Sequence, residues 1–223
     1  MRKCVKFISA RPVLIAALIG LGLISCGEPS SSQQKKQATT PIVVAGPPPE
    51  GTPIDWSVFA PIGNPDAIYA GDVTPMLAEV GADFCRVFTN GAERIIGNAP
   101  PNPPPALGGR RIIIKVQGRE CQSFFFTHAP SRIVYKVPEG VKRFTAIGTM
   151  PEEIHESEGT WSYIVKINDQ KVFETPWLVH AKQKYWLIDV PIPSHAKTIQ
   201  LIVHEGNNKF CDNAVWAWPY FHK

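Results

Sequence analysis

His204, Glu205, Asn207, Asn208 and Lys209 crowd into the run HEGNNKF at positions 204 to 210. Carboxamides and an imidazole offer paired donors and acceptors, which is what the hydroxyls of a sugar require, and Trp177 or Trp186 could add a flat apolar face. A polar turn between two strands uses the same residue types, so both readings stand. His128, in THAP, and Asp212, just ahead of the last apolar run, form a second group. At a strand end this imidazole could bond a ligand hydroxyl or the Asp212 carboxylate; a buried histidine satisfied by that carboxylate or by a backbone carbonyl is the plainer reading. A third group is EEIHESEG, where Glu152, Glu153, Glu156 and Glu158 surround His155. Carboxylates on a turn suit calcium, as they suit a solvated acidic loop. Their order differs from the HExxH spacing that a helical zinc protease needs.

Motifs for covalent chemistry are missing. There is no GxSxG elbow, no glycine-rich phosphate loop and no cysteine with a histidine partner in its sequence context. Glycoside hydrolysis needs two carboxylates about 5 to 9.5 Å apart, a geometry that sequence does not fix. Residues 1 to 25 hold four basic side chains and no acidic one; without them the chain carries 19 basic and 19 acidic groups. That balance removes the electrostatic case for nucleic acid as a partner.

The elements that would position these groups read as strands. From Ile112 onward, RIIIKVQG, SFFFTHA, SRIVYKVPEG, KRFTAIG, TWSYIVKINDQKVFET, KYWLIDVPI, TIQLIVHEG and AVWAWPYF are short apolar or alternating runs separated by turn residues. Alternation puts Trp161, Tyr163, Val165 and Ile167 on one face, with a hairpin turn at INDQK, and makes Ile199, Leu201 and Val203 a second inward row. The same rule places Trp216 and Trp218 on one face of a buried last strand. Many short strands predict an all-β sandwich or jelly roll. Residues 52 to 107 are less regular: Thr74-Pro75 reads as a helix start before MLAEVGA, FCRVFT as a strand, and GNAPPNPPPALGG as a long loop.

The N-terminal end sets a compartment. Arg2, Lys3, Lys6 and Arg11 precede the 12-residue apolar run Val13 to Ile24, too short to cross ~30 Å of hydrocarbon as a helix but suited to a secretory signal. LISC followed by Gly27 resembles the lipobox of bacterial lipoproteins, which implies cleavage after residue 25 and acyl chains on Cys26. The expected product sits in the bacterial envelope, at the outer membrane rather than the inner because glycine and not aspartate follows the cysteine. Residues 26 to 51, rich in Ser, Gln, Pro and Gly, read as a tether, and 52 to 223 as one domain. Three cysteines remain beyond Cys26, an odd number in an exported chain.

YAGDV, FFFTHAPSRIVYKVP, RFTAIGT, IVKINDQKVFET, IQLIVHEG and DNAVWAWP occur in an order that resembles the NPCBM domains, which are grouped with family 51 carbohydrate-binding modules. The resemblance covers about residues 66 to 223 and is strongest at THAPSRIVY and at the closing Asp-x-Ala-x-Trp. It implies a galactose-binding-like β-sandwich (jelly roll) that binds glycans, galactose-type sugars among them, without catalysis, and in some members a structural Ca2+. Gly148-Thr149-Met150 stands where the family has Gly-Val-Asp, and Asp212-Asn213-Ala214-Val215-Trp216 where it has Asp-His-Ala-Asp-Trp. From the residue groups above, the expected carbohydrate-binding residues are His128, Trp177, His204, Asn207, Asn208 and Asp212. The resemblance also makes neighbours of the strands that follow Cys121 and Cys211, implying a disulfide there worth about 4 to 5 kcal/mol in the chain-entropy model. The alternative is an envelope scaffold that keeps the sandwich and has lost the sugar.

Overall fold

The stretch Thr160–Ile167 shows how this chain makes strand. Trp161, Tyr163, Val165 and Ile167 are buried in the core, and Lys166 points the other way. Asn168 and Asp169 then take φ of 48° and 67°, and Ile167 pairs with Gln170 across a two-residue hairpin. Left-handed geometry at both turn positions matches the twist of the flanking strands. Asn90-Gly91 and Gln117-Gly118 make turns of the same kind.

The computed structural model describes residues 44–49, 51–80, 85–97, 112–151, 159–179, 185–206 and 212–223. A four-residue helix, α1 (Trp56–Phe59), comes first, capped by the Asp55 carboxylate, which accepts from Ser57 N. The strands are β1 (Ala67–Tyr69), β2 (Leu77–Val80), β3 (Cys85–Thr89), β4 (Ala92–Ile96), β5 (Ile114–Val116), β6 (Arg119–Cys121), β7 (Phe124–His128) and β8 (Ser131–Lys136). They continue with β9 (Arg143–Thr149), β10 (Thr160–Ile167), β11 (Gln170–Glu174), β12 (Leu178–Val179), β13 (Tyr185–Pro191), β14 (Thr198–Glu205) and β15 (Asn213–His222). One sheet runs β13-β9-β15-β7-β3-β4 with β1 on β15; the other runs β11-β10-β14-β8-β2 with β12 on β10; β5 and β6 pair separately.

Rings join the two sheets. Tyr163 of β10 meets Trp216 of β15 at 4.9 Å and 80°, and Tyr135 of β8 meets Phe221 at 5.8 Å and 78°. These edge-to-face contacts add to the burial of large apolar surfaces. The Tyr163 hydroxyl lies 2.6 Å from Thr149 O, 2.9 Å from Val215 O and 3.1 Å from both Val215 N and Trp161 Nε1. With one proton it donates to one carbonyl and accepts from the two N–H groups, pinning β10 to β9 and β15. Gly148 is required beside it, since a Cβ there would come within 2.5 Å of the Tyr163 ring.

The inward rows of β10 and β14 match the sequence expectation, Ile199, Leu201 and Val203 all being fully buried. Three local expectations change. Thr74-Pro75 starts no helix; Met76 N bonds Val134 O, and Leu77–Val80 pairs with β8 as an edge strand, long-range pairing overriding a short ambiguous apolar run. Trp216 and Trp218 do not share a face. Trp218 has φ of 47° at an irregularity between Ala217 and Tyr220, and it turns to Trp56 and Arg119 on the far side of the sheet from Tyr163. Upstream of residue 52, Ala45 pairs with β11 through Ala45 N to Val172 O and Glu174 N to Ala45 O, both 3.0 Å. The compact unit accordingly runs from Ile42 to Lys223. Most of the loop read at 97 to 109 lies outside the described residues.

Candidate functional site

One end of the sandwich gathers most of the residues expected from sequence. The finish of β7, the start of β10, the finish of β14 and the start of β15 meet there: Asn213 pairs with His128, Ser162 with His204, Trp161 with both Leu178 and Glu205. Strand pairing therefore brings together positions some 80 residues apart in the chain, as no local pattern could.

Trp177 and His204 form the exposed part. Trp177 precedes β12 and is 46% exposed, the highest value for an aromatic residue among the described large apolar side chains. Its ring lies 5.6 Å from that of His204, tilted 45°. An indole face held by a neighbouring imidazole offers an apolar platform beside a polar nitrogen. Trp186, the other candidate platform, is only partly exposed, with its Nε1 buried, so Trp177 is the one that presents a face.

His128 is half-buried, and its Nδ1 lies 2.8 Å from Ala129 O. With Nδ1–H donating to that carbonyl, Nε2 is left as an acceptor. The contact with the Asp212 carboxylate is not made. Asp212 Oδ1 instead accepts from Thr160 N at 2.9 Å, while its main-chain carbonyl accepts from Ala129 N at 3.1 Å. Asp212 is fully buried and Oδ2 has no partner among the described residues, as is also true of the hydroxyl of Thr160. Burial raises the Asp212 pKa to about 6, the Thr160 N–H opposing and the charge of Glu205 adding to the rise. This carboxylate ties the start of β10 to the start of β15 rather than facing solvent. Thr160, which shares this arrangement, carried no signal in the sequence beyond opening a strand.

Asn207 and Asn208 lie outside the described residues, as do Cys26 and the acidic run 152 to 158. Among the described residues no three His, Cys, Asp or Glu side chains cluster to hold a metal. The expected Cys121–Cys211 disulfide is replaced by a free, buried Cys121 thiol that donates to Ser123 O at 3.1 Å. Antiparallel pairing explains this. Cys121 lies before the start of β7, whereas Asp212 precedes the Asn213 that pairs with His128 at the finish of that strand, about 20 Å along it at ~3.4 Å per residue. Burial pushes the Cys121 thiol up to about 12. Cys211 itself is outside the described residues.

Comparison with known proteins now bears on this geometry. The CBM51-2 and INT domains of Clostridium perfringens ZmpB, solved in complex with GlcNAc, superpose with a TM-score of 0.57 at 18% identity, covering 70% of this chain and 31% of that one. CBM51 from Clostridium perfringens GH95, in complex with methyl-galactose, gives 0.54 at 20% identity, with 70% of this chain and 99% of that one covered. The tandem CBM51 modules of a family 98 glycoside hydrolase from Streptococcus pneumoniae give 0.56 at 19%, over 72% and 48%. The chain thus spans about a third of the ZmpB fragment and about half of the streptococcal one. No curated protein is matched. These likenesses establish the fold as a galactose-binding-like β-sandwich. The model of the NPCBM/NEW2 domain matches residues 72–222, more than half of the sequence, and the chain belongs to that family.

Proposed function

We propose that this protein binds carbohydrate without transforming it, through the end of the sandwich that carries Trp177, His204 and His128, while anchored in the bacterial envelope by lipid on Cys26. The observation that carries the reading is the exposed Trp177 ring beside His204, at the strand end where the family's motif residues His128 and Asp212 also meet. Sugars offer a C–H face for an indole and hydroxyls for imidazole nitrogens. The CBM51 modules solved with GlcNAc and with methyl-galactose support a saccharide as the ligand class. Membership of the family supports binding in place of chemistry.

A monosaccharide has about 12 heavy atoms, so at ~0.3 kcal/mol per atom one site contributes about 4 kcal/mol, near millimolar. Capture then depends on many anchored copies acting together. The lipobox-like LISC run supports the anchor, and Gly27 supports the outer membrane as its address.

The test is a glycan array probed with the protein displayed multivalently, with calcium and again with EDTA. Binding to a defined sugar class is expected. Trp177→Ala should lower it by about tenfold, since a lost stacking contact is worth ~0.5 to 1.5 kcal/mol per site and is multiplied by valency. Silence from folded protein would sink the reading and leave an envelope scaffold.

A further inference from the structure

A cavity lies away from the Trp177 end. Its volume is about 210 Å³, and Ile62, Asn64, Asp72, Asn90, Ser123 and Tyr220 line it. Ser123 stands at the start of β7 and His128 at its finish, so about 17 Å of strand, at ~3.4 Å per residue, separates the two places. Nothing in the candidate site above uses these side chains.

Their unspent hydrogen-bonding capacity defines what fits. Asn64 Oδ1 accepts from Asp66 N at 2.9 Å, which leaves its NH2 as donor. Asn90, held at φ of 50° in the β3–β4 turn, has its amide N–H on Ser123 Oγ at 3.2 Å and its Oδ1 only 3.5 Å from that hydroxyl, leaving a second NH2. The Tyr220 hydroxyl has no protein partner among the described residues, and the exposed Asp72 carboxylate has neither an ion pair nor a hydrogen bond there. Burial raises the Tyr220 pKa, with the charge of Asp72 among the lesser causes, so the phenol stays a donor. Ile62, 70% exposed, is the apolar lip.

Among the described residues the cavity lining carries one negative charge, on Asp72, and no lysine, arginine or histidine, which disfavours phosphates and acidic sugars. One carboxylate is too few for a divalent cation. Two amide donors, a phenol donor, a carboxylate acceptor and one apolar edge suit a small neutral ligand rich in hydroxyls. The volume is below the ~300 to 1,000 Å³ of pockets for drug-sized ligands, which limits the occupant to about one sugar ring.

We propose that this cavity is a second, independent binding site for one neutral hexose ring, with Asp72 and Tyr220 accepting from and donating to its hydroxyls. A glycan engaging both places on one chain would gain avidity without any new contact.

The test is a 1H–15N titration of the protein with methyl glucoside, methyl galactoside and GlcNAc, with glucuronate as the charged control. Saturable shifts at the amides of Asn64, Asn90 and Ser123 are expected with at least one neutral sugar, in the millimolar range. Glucuronate should bind there about fivefold more weakly. Tyr220→Phe should weaken the neutral sugar by about fivefold, the effect of one hydrogen bond of ~1 kcal/mol. Asp72→Asn, at an exposed side chain that the fold does not need, should abolish discrimination against glucuronate. Absence of saturable shifts at these amides with every neutral sugar overturns the proposal, as does binding there that both variants leave unchanged. Shifts at Trp177 and His204 report separately on the first site, so either site can fail alone.

Discussion

Asp212 shows at the residue scale how position changes chemistry. Ordinary aspartate is ionised above pH 4, but this one is buried with a single backbone N–H on one oxygen and its pKa raised to about 6. A folded-state pKa above the unfolded value means that folding takes up a proton between about pH 4 and 6. Stability from this group is therefore full below pH 4 and is lost as pH rises through 6, by about 1 to 3 kcal/mol at ~1.4 kcal/mol per pKa unit. Asp212→Asn retains an acceptor for Thr160 N and removes the charge. It should match the parent in thermal or urea unfolding near pH 4 and exceed it at pH 8 by about 1 kcal/mol or more. The comparison within each pH cancels His222, whose pKa is lowered by burial in both proteins. A parent more stable than the variant at pH 8 would mean that the carboxylate is charged and held by a cationic partner. Sequence reading paired Asp212 with His128 and also allowed the imidazole a backbone carbonyl, which is the partner His128 takes; that Asp212 serves Thr160 N instead carried no signal.

At the scale of elements, β10 depends on Tyr163 both as a ring in the core and as a hydroxyl among backbone groups of the opposite sheet. Tyr163→Phe keeps the ring and strands Trp161 Nε1 and Val215 N without their acceptor. The cost should be about 2 to 3 kcal/mol in urea unfolding with unchanged m, since buried groups lose a partner while the exposed area stays the same. A loss below ~0.5 kcal/mol would show that water or a main-chain shift satisfies those groups. The inward face of β10 was legible because large apolar residues fill every second position from Trp161 to Ile167, although Ile164 on the opposite face is apolar and buried as well. Trp218 was not, because one left-handed residue inside β15 ends the alternation, and nothing in WAWPY other than Pro219 hints at a break. β2 was hidden for a different reason: four residues of mixed exposure on a sheet edge carry neither period strongly. The β3–β4 hairpin had a usable signal in Asn90-Gly91, a pair suited to left-handed turn positions.

For the whole molecule, the boundary of the folded unit is decided by an edge. β11 closes one side of its sheet, and its free side would present unpaired N–H and C=O groups to other chains. Ala45 occupies part of that side with two 3.0 Å main-chain bonds, although its neighbourhood, IVVAGPPPEG, reads from composition as tether. Low-complexity composition says that a segment cannot build a core of its own; it does not say that the segment cannot lie on one already built. A protein beginning at residue 52 should therefore fold, since the two sheets and their core are intact. It should be less stable than one beginning at residue 42 by about 1 to 2 kcal/mol, two hydrogen bonds at ~0.5 to 1.5 kcal/mol each less the entropy regained. The shorter protein should also self-associate more as concentration rises, through the uncovered β11 edge, in sedimentation velocity. Equal stability and equal monomer fraction in the two proteins would mean that the upstream segment touches β11 without protecting it, and that the domain begins where composition alone places it.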